Sequence, residues 1–286
     1  MPLTDLQLAV ARLLAGNRTP ASHLAGGAAI HLAEDSLRLS NDLDYFHDEQ
    51  RLVAESFARD QATLAKAGFN LDVILSQPGF VRAIVGREHE STKIEWAVDS
   101  AWRFFPAIED PVVGYRLHPI DLSVNKVLAL AGRDEPRDFL DAIYVHQHHL
   151  PLGALCWAAV GKDPGYNPEM LIEMLARKGR YRPEDFAELR LVKPPVLGEL
   201  KRVWLAAIDE ARALVRSLPA EDAGCLYFNP ARGRFVAPAG DLDQLDRHRG
   251  SRGGIIPVIG EQPMLSEDAA SRHILAESYG KPPPNN

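Results

Sequence analysis

The chain is poor in cysteine: of its 286 residues only Cys156 and Cys225 are cysteines, and they lie far apart. Without a C-x-x-C pair, neither a structural zinc site nor a disulfide framework is expected. The sequence also lacks an apolar run long enough to span a bilayer. It does not open with a basic segment followed by an apolar one, which is the pattern of a secretory signal. We therefore expect a soluble, cytoplasmic protein with no membrane partner.

Positive charge is also scarce, since 32 lysines and arginines stand against 39 acidic residues and the formal net charge is −7. An acidic protein does not attract nucleic acid through a general positive field, so a bound RNA would need a local basic patch. Two segments offer such a patch: 177–182 (RKGRYR) and 247–252 (RHRGSR). Charge runs are more often solvated surface, so these segments favour an RNA partner only mildly.

Hydrophobic periodicity and turn residues predict an α+β chain. The predicted strands are 42–46, 71–75, 80–85 and 92–98. The predicted helices of the first half are 4–14, 49–67, 119–131 and about 136–149. A further apolar segment, 24–34, has a glycine pair near its start. These elements predict a main domain at 1–150.

The second half of the chain has a different pattern. It predicts helices at 152–160, 168–177 and 198–218, then a hairpin at 226–236 and an extended tail from residue 241. We therefore expect a helical subdomain at 151–220 and a small hairpin with an extended tail at 221–286.

The stretch Ser40-Asn41-Asp42-Leu43-Asp44 carries the clearest chemical signal. Residues i and i+2 of a strand point to the same face, so Asp42 and Asp44 present two carboxylates to one site. Mg²⁺ prefers hard oxygen ligands and usually takes one or two carboxylates, with phosphates and waters completing its shell. Gly26 and Gly27 precede the pair, and two glycines at a helix start let backbone N–H groups approach a triphosphate. A lone D-x-D is common; it is the order of glycine pair, helix and R-x-S-x-D-h-D that predicts a metal site.

A third carboxylate is expected beside this pair. Alternate residues of the predicted strand 92–98 share one face, so Glu95 could join the two aspartates and deprotonate an attacking hydroxyl. The alternative is that Lys93 and Glu95 form a solvated strand face. Asp72 and Asp99 compete with Glu95 for the same role.

A second cluster lies on the predicted helices after residue 118. Lys126 and Arg133 are seven residues apart and share one face of an otherwise apolar helix. Two cations placed in this way suit a triphosphate. Asp138, with Asp141 one turn later, could orient Lys126 or Arg133. The alternative is a salt-bridge cluster that joins two helices and binds no ligand.

Together these motifs resemble the AbiEii/AbiGii toxin family of polymerase-beta-like nucleotidyltransferases, over about residues 20–218. That family combines a GG-containing helix, an R-x-S-x-D-h-D strand, an acidic residue on a later strand, an N-K-h-h-A-h-x-x-R helix and a following R-D-h-x-D. The matching positions are Gly26, Gly27, Arg38, Ser40, Asp42, Asp44, Glu95, Asn125, Lys126, Arg133, Arg137, Asp138 and Asp141. Ala28 stands where the family often has threonine, and residues 225–286 have no placed counterpart.

The resemblance implies a polymerase-beta-like core, in which helices accompany a mixed sheet, followed by a helical C-terminal subdomain. It implies a catalytic metal ion, Mg²⁺ or Mn²⁺, held by Asp42, Asp44 and Glu95. It implies a nucleoside triphosphate bound at Gly26, Gly27, Arg38, Ser40, Lys126 and Arg133. Lys126 and Asp138 complete the implied catalytic set.

The family's members act as toxins of toxin–antitoxin and phage-defence pairs, and its MenT relatives add nucleotides to tRNA 3′ ends. The expected activity is therefore transfer of a nucleoside monophosphate to an RNA, with a cognate antitoxin as a protein partner. Two alternatives stay open. One is a nucleotidyltransferase that modifies a small hydroxylated molecule, and the other is a catalytically inactive binding protein with the same fold.

Overall fold

The computed structural model describes residues 3–30, 32, 37–259 and 262–263. The chain forms two compact units. The first unit comprises Met1–Leu122, Phe186–Pro195 and Gly250–Ile255, and the second comprises Ser123–Asp185, Val196–Arg249 and Ile256–Asn286.

Both units contain helices and strands, which are numbered in chain order. The α-helices are α1 (Asp5–Leu14), α2 (Gly26–Ile30), α3 (Gln50–Lys66), α4 (Pro119–Gly132), α5 (Pro136–His148), α6 (Leu152–Lys162), α7 (Pro168–Ala176) and α8 (Leu197–Ser217). The strands are β1 (Ser22–Ala25), β2 (Asp42–His47), β3 (Asn70–Gln77), β4 (Phe80–Arg87), β5 (Glu90–Val98), β6 (Trp102–Arg103), β7 (Ile108–Asp110), β8 (Gly114–Arg116), β9 (Cys225–Asn229), β10 (Arg234–Val236), β11 (Asp246–Arg249), β12 (Ser251–Arg252), β13 (Val258–Ile259) and β14 (Gln262–Pro263).

The first unit is built on a seven-stranded mixed sheet with the strand order β3-β4-β5-β2-β1-β8-β7. β2 runs parallel to β5 and β1 runs parallel to β8, while the other neighbours are antiparallel. All four strands predicted for the first half of the chain lie in this sheet, which confirms them.

Strand β1 was not predicted from the sequence. All four of its residues are buried, so the strand has none of the polar–apolar alternation by which a half-buried strand is recognised. The apolar segment predicted at 24–34 therefore divides: β1 ends at Ala25, and Gly26–Ile30 is helix α2. Positions 31, 33 and 34 of that segment lie outside the described residues.

The inner face of β2 and β5 forms part of the core. Leu43, Tyr45 and Trp96 are fully buried there. The Trp96 indole N–H donates to Asp60 Oδ2 on α3 at 2.7 Å, and Asp60 also pairs with the buried Arg18. Because side chains alternate along a strand, this packing turns the intervening acidic residues to the opposite face of the sheet.

The second unit is largely helical, and besides α6, α7 and α8 it contains α5, which the sequence assigns to the main domain at 1–150. α6 packs on α8 and on β9, which is the central strand of a small sheet with the order β10-β9-β11. The predicted helices at 152–160, 168–177 and 198–218 are confirmed as α6, α7 and α8. The predicted hairpin is confirmed by the antiparallel pairing of β9 with β10.

The expected extended tail is wrong for Asp246–Arg249, which forms β11 and pairs with β9. Its sequence, DRHR, has no apolar residue, so no periodicity marks it as a strand. Pairing to a strand some twenty residues earlier, a long-range contact, creates it. Residues 264–286 of the expected tail lie outside the described part. Among the residues that the structure describes, no helix is both long enough and apolar enough to cross a membrane.

Candidate active site

Parallel pairing of β2 with β5 brings three carboxylates together. Asp44 lies opposite Glu95 in the register, and Asp42 lies opposite Lys93. Carboxylate oxygens of Asp42, Asp44 and Glu95 all lie within 4.8 Å of one another. Asp42 is buried and the other two are half-buried. Hard oxygen donors at this spacing fit the requirements of Mg²⁺ or Mn²⁺.

Glu95, rather than its competitors, is the acidic residue that the fold brings to the aspartate pair. Among the described residues, this is the one group of three histidine, cysteine or acidic side chains close enough to share a metal ion. Asp72 and Asp99, which compete with Glu95 on sequence grounds, do not belong to it. Strand alternation therefore indicated the correct neighbour.

The glycine pair makes room for two polar side chains of the site. Gly26 has a φ of +62°, and a Cβ atom there would lie 1.9 Å from Asp44 Oδ2. A Cβ atom on Gly27 would lie 2.7 Å from Arg38 Nη2 and 3.3 Å from Ser40 Oγ. Both positions therefore need glycine for the approach of these side chains; that the backbone N–H groups of the pair also bind a triphosphate stays a prediction.

Ser40 holds Asp42 in place. Its hydroxyl donates to the Asp42 backbone oxygen at 2.9 Å and lies 3.3 Å from Asp42 Oδ1. The Ser40 carbonyl accepts from Gln7 Nε2 at 3.1 Å. The adjoining Leu39 N–H donates to the carbonyl of Arg190 at 2.8 Å. The segment before β2 is thus fixed from two sides, which positions the start of the strand.

Two cations that the sequence did not single out contact the carboxylates. Lys93 Nζ lies 2.9 Å from Asp42 Oδ2 and 3.1 Å from Glu95 Oε1. Arg82 Nε lies 2.8 Å from the same Glu95 oxygen. Lys93 shares the face of Glu95 at i and i−2, so strand alternation could have identified it as a site residue.

The charge of Lys93 is set by opposing effects. Partial burial alone would lower the pKa of its ammonium, but the hydrogen bonds and negative charge of Asp42 and Glu95 outweigh burial and raise that pKa. Lys93 therefore stays protonated at neutral pH. A divalent ion that binds the carboxylates must compete with this ammonium.

The residues of the second cluster contact one another, and they lie in the second unit, whereas the sequence assigns them to the main domain at 1–150. Lys126 Nζ lies 2.7 Å from Asp141 Oδ2 and 3.6 Å from Asp138 Oδ1. Arg133 Nε and Nη2 lie 2.5 and 3.1 Å from the two oxygens of Asp138, which is fully buried. Asn125 Oδ1 accepts from Lys162 Nζ at 2.6 Å. Asp138 thus contacts both cations, and its burial holds them in fixed orientations.

Comparison with known proteins supports the fold. No family model matches the chain, and no curated protein matches it significantly. MenT4, the nucleotidyltransferase toxin Rv2826c from Mycobacterium tuberculosis H37Rv, is 16% identical with a TM-score of 0.51 over 76% of this chain and 83% of that chain.

Two further solved structures come from Helicobacter pylori, each 16% identical over 75% of this chain. A candidate nucleotidyltransferase has a TM-score of 0.48 over 96% of its chain. JHP933 has a TM-score of 0.47 over 95% of its chain. From the match to MenT4, the chain has the α+β fold of a nucleotidyltransferase, and the predicted fold class is confirmed.

Proposed function

We propose that the chain is an enzyme, a metal-dependent nucleotidyltransferase that moves a nucleoside monophosphate from a nucleoside triphosphate to an RNA acceptor such as a tRNA 3′ end. The observation that carries the proposal is the convergence of Asp42, Asp44 and Glu95 on a nucleotidyltransferase fold. Three carboxylates this close repel one another, and Lys93 and Arg82 offset part of that repulsion. Titratable groups that perturb one another in this way cluster at functional sites, which supports a functional role.

In the proposed reaction, an acceptor hydroxyl oxygen forms a bond to the α-phosphorus, and the bond from that phosphorus to the pyrophosphate leaving group breaks. Glu95 would accept the hydroxyl proton, while Asp42 and Asp44 would hold the metal ion. A bound Mg²⁺ or Mn²⁺ would supply charge stabilisation at the reacting phosphate. Arg38 and Ser40 keep the segment before β2 in place.

We propose that Lys126 and Arg133, which lie in the second unit, are the cations that bind the triphosphate. Both are held by Asp138, so little conformational entropy is lost when they meet a phosphate. Because MenT4 is described as a toxin, we further propose that this chain acts as a toxin and has a cognate antitoxin.

The decisive experiment incubates the protein with labelled nucleoside triphosphates, total tRNA and either Mg²⁺ or Mn²⁺. We expect label in the RNA with the wild-type chain, and a loss of at least about a thousandfold in rate for Asp42→Asn/Asp44→Asn, as for removal of groups that stabilise transition-state charge. Asp72→Asn is the matched control, because Asp72 is an exposed acid on β3 outside the triad. An active double variant, or a wild-type chain that labels no RNA, would contradict the proposal.

A further inference from the structure

The structure distinguishes the two basic segments of the chain. In 247–252, the arginine side chains are engaged within the fold. Arg247 pairs with Asp222 at 3.0 Å and Arg252 pairs with Glu49 at 2.7 Å. Arg249 donates to two backbone carbonyl oxygens at 2.6 and 3.0 Å. These contacts tie the arginines of 247–252 to the fold, so fewer of their N–H groups are left for a ligand.

The segment 177–182 is different. Arg177 and Arg180 are exposed, and within the part of the chain that the structure describes the side chain of neither forms a hydrogen bond or an ion pair. The Arg182 side chain is 76% exposed and approaches Asp185 only at 3.5 Å. A sequence with a net charge of −7 therefore presents three arginines outward within six residues.

The backbone of 177–182 is nevertheless firmly anchored. Gly179 has a φ of +84°, and a Cβ atom there would lie 3.0 Å from the ring of Phe139 and 3.2 Å from Trp204. Tyr181 is buried against Phe139, and its hydroxyl donates to Asp134 Oδ1 at 2.5 Å. The arginines thus project from a fixed support, which reduces the entropy lost on binding.

The anchor also places the segment beside the second cluster. Lys178 Nζ donates to the carbonyl oxygen of Arg133 at 3.3 Å. Arg180 and Tyr181 line a cleft of about 380 Å³ together with Asp134, Pro136 and Asp185. Asp134 pairs with Lys178 at 4.0 Å and Asp185 with Arg182 at 3.5 Å, so the two acids of the cleft are paired with cations other than Arg177 and Arg180.

We propose that segment 177–182 binds the phosphates of an RNA strand through Arg177, Arg180 and Arg182. Arginine forms charge-assisted, bidentate hydrogen bonds to phosphate. The one aromatic residue of the segment, Tyr181, is buried and offers no face on which a base could stack. Binding through this surface is therefore independent of base sequence and strongly dependent on salt. The identification of this RNA as the acceptor rests on the proposed function.

The test measures fluorescence anisotropy of a short labelled single-stranded RNA at several salt concentrations, with the full chain. The loop variant is Arg177→Gln/Arg180→Gln/Arg182→Gln. We expect its affinity to fall about tenfold or more, and the slope of log K against log salt to become shallower by about 2, or about 0.7 for each lost phosphate contact.

A control variant removes the same charge elsewhere, at three exposed arginines of other elements: Arg12→Gln/Arg59→Gln/Arg232→Gln. We expect it to bind RNA with the wild-type salt slope. Equal affinities and slopes for the loop variant and the wild type would overturn the proposal. So would equal losses in the loop and control variants, because they would reflect net charge alone.

Failure of this inference can be told apart from failure of the proposed function. Asp42→Asn/Asp44→Asn should bind the labelled RNA as well as the wild type while transferring no nucleotide. If the wild type labels tRNA but the loop variant binds RNA normally, the loop inference is wrong and the proposed function stands. If the variant of segment 177–182 loses RNA binding but the wild type transfers no nucleotide, the proposed function is wrong and the inference stands.

Discussion

Replacing Gly26 with alanine tests whether the glycine pair serves the carboxylate site. The new Cβ atom would lie 1.9 Å from Asp44 Oδ2 and 2.7 Å from Asp44 Cγ, so the carboxylate must move. Packed heavy atoms lie about 3.5–4.0 Å apart, so the distance to Asp44 Oδ2 is far too short for van der Waals contact. The side chain of Asp44 must therefore leave the position that it takes beside Asp42 and Glu95.

The cost falls on both stability and activity. A φ of +62° in a residue with a Cβ costs about 1–2 kcal/mol, so Gly26→Ala should lower the free energy of unfolding by about that amount. A misplacement of about 1 Å at a reacting centre can cost about a hundredfold in rate. We expect Gly26→Ala to reduce the rate of nucleotide transfer at least about a hundredfold and to bind Mn²⁺ more weakly.

The assay compares single-turnover transfer, Mn²⁺ affinity and thermal unfolding of Gly26→Ala with those of Gly198→Ala. Gly198 is the matched control: it lies in α8, it lacks a positive φ, and a Cβ atom there would meet no atom within 4 Å. Wild-type transfer and Mn²⁺ affinity in Gly26→Ala would refute the role assigned to this glycine. Loss of stability with unchanged metal affinity would show that the glycine serves the backbone alone.

Three further outcomes follow from other contacts. Lys93→Met should tighten Mn²⁺ binding by about tenfold in calorimetry, because it removes an ammonium that competes for the carboxylates. Its two partly exposed ion pairs are each worth up to about 1 kcal/mol. An unchanged Mn²⁺ affinity would count against this competition. Asp121→Ala should lower the free energy of unfolding in urea by about 2–4 kcal/mol, because two buried backbone N–H groups lose their acceptor, whereas Asp121→Asn should lose less. Burial lowers the pKa of His23 and of His47 from 6.5 to about 4. Between about pH 4 and 6.5, these histidines are therefore protonated in the unfolded chain and neutral in the folded chain. The contribution of each histidine to the free energy of unfolding should be complete above pH 6.5. Below pH 6.5 the free energy of unfolding should fall by up to about 1.4 kcal/mol per pH unit for each of the two histidines. In urea titrations, His47→Gln should make this dependence on pH shallower.

The sequence predicted those parts of the fold in which local pattern and tertiary structure agree. The alternation Asp42-Leu43-Asp44 identified β2, and the same period placed Glu95 on the correct face of β5. β1 and β11 were missed because their formation depends on long-range pairing: one is buried throughout and the other has no apolar residue. The contact of Lys93 with Asp42 depends on which strand lies next to β5, and no local pattern states that β2 is the parallel neighbour of β5.

The longer R-x-S-x-D-h-D pattern is more informative than D-x-D alone because it includes a residue that orients the first aspartate. Two acids on a strand share a face in any protein, but a metal site also needs them to be held in one orientation. Ser40 fixes Asp42 through its hydroxyl, and Trp96 fixes β5 from behind through its hydrogen bond to Asp60. Because the period of a strand is two, a slip of one residue in β5 would exchange Glu95 for an apolar neighbour. The core on one face of the sheet therefore determines the chemistry available on the other.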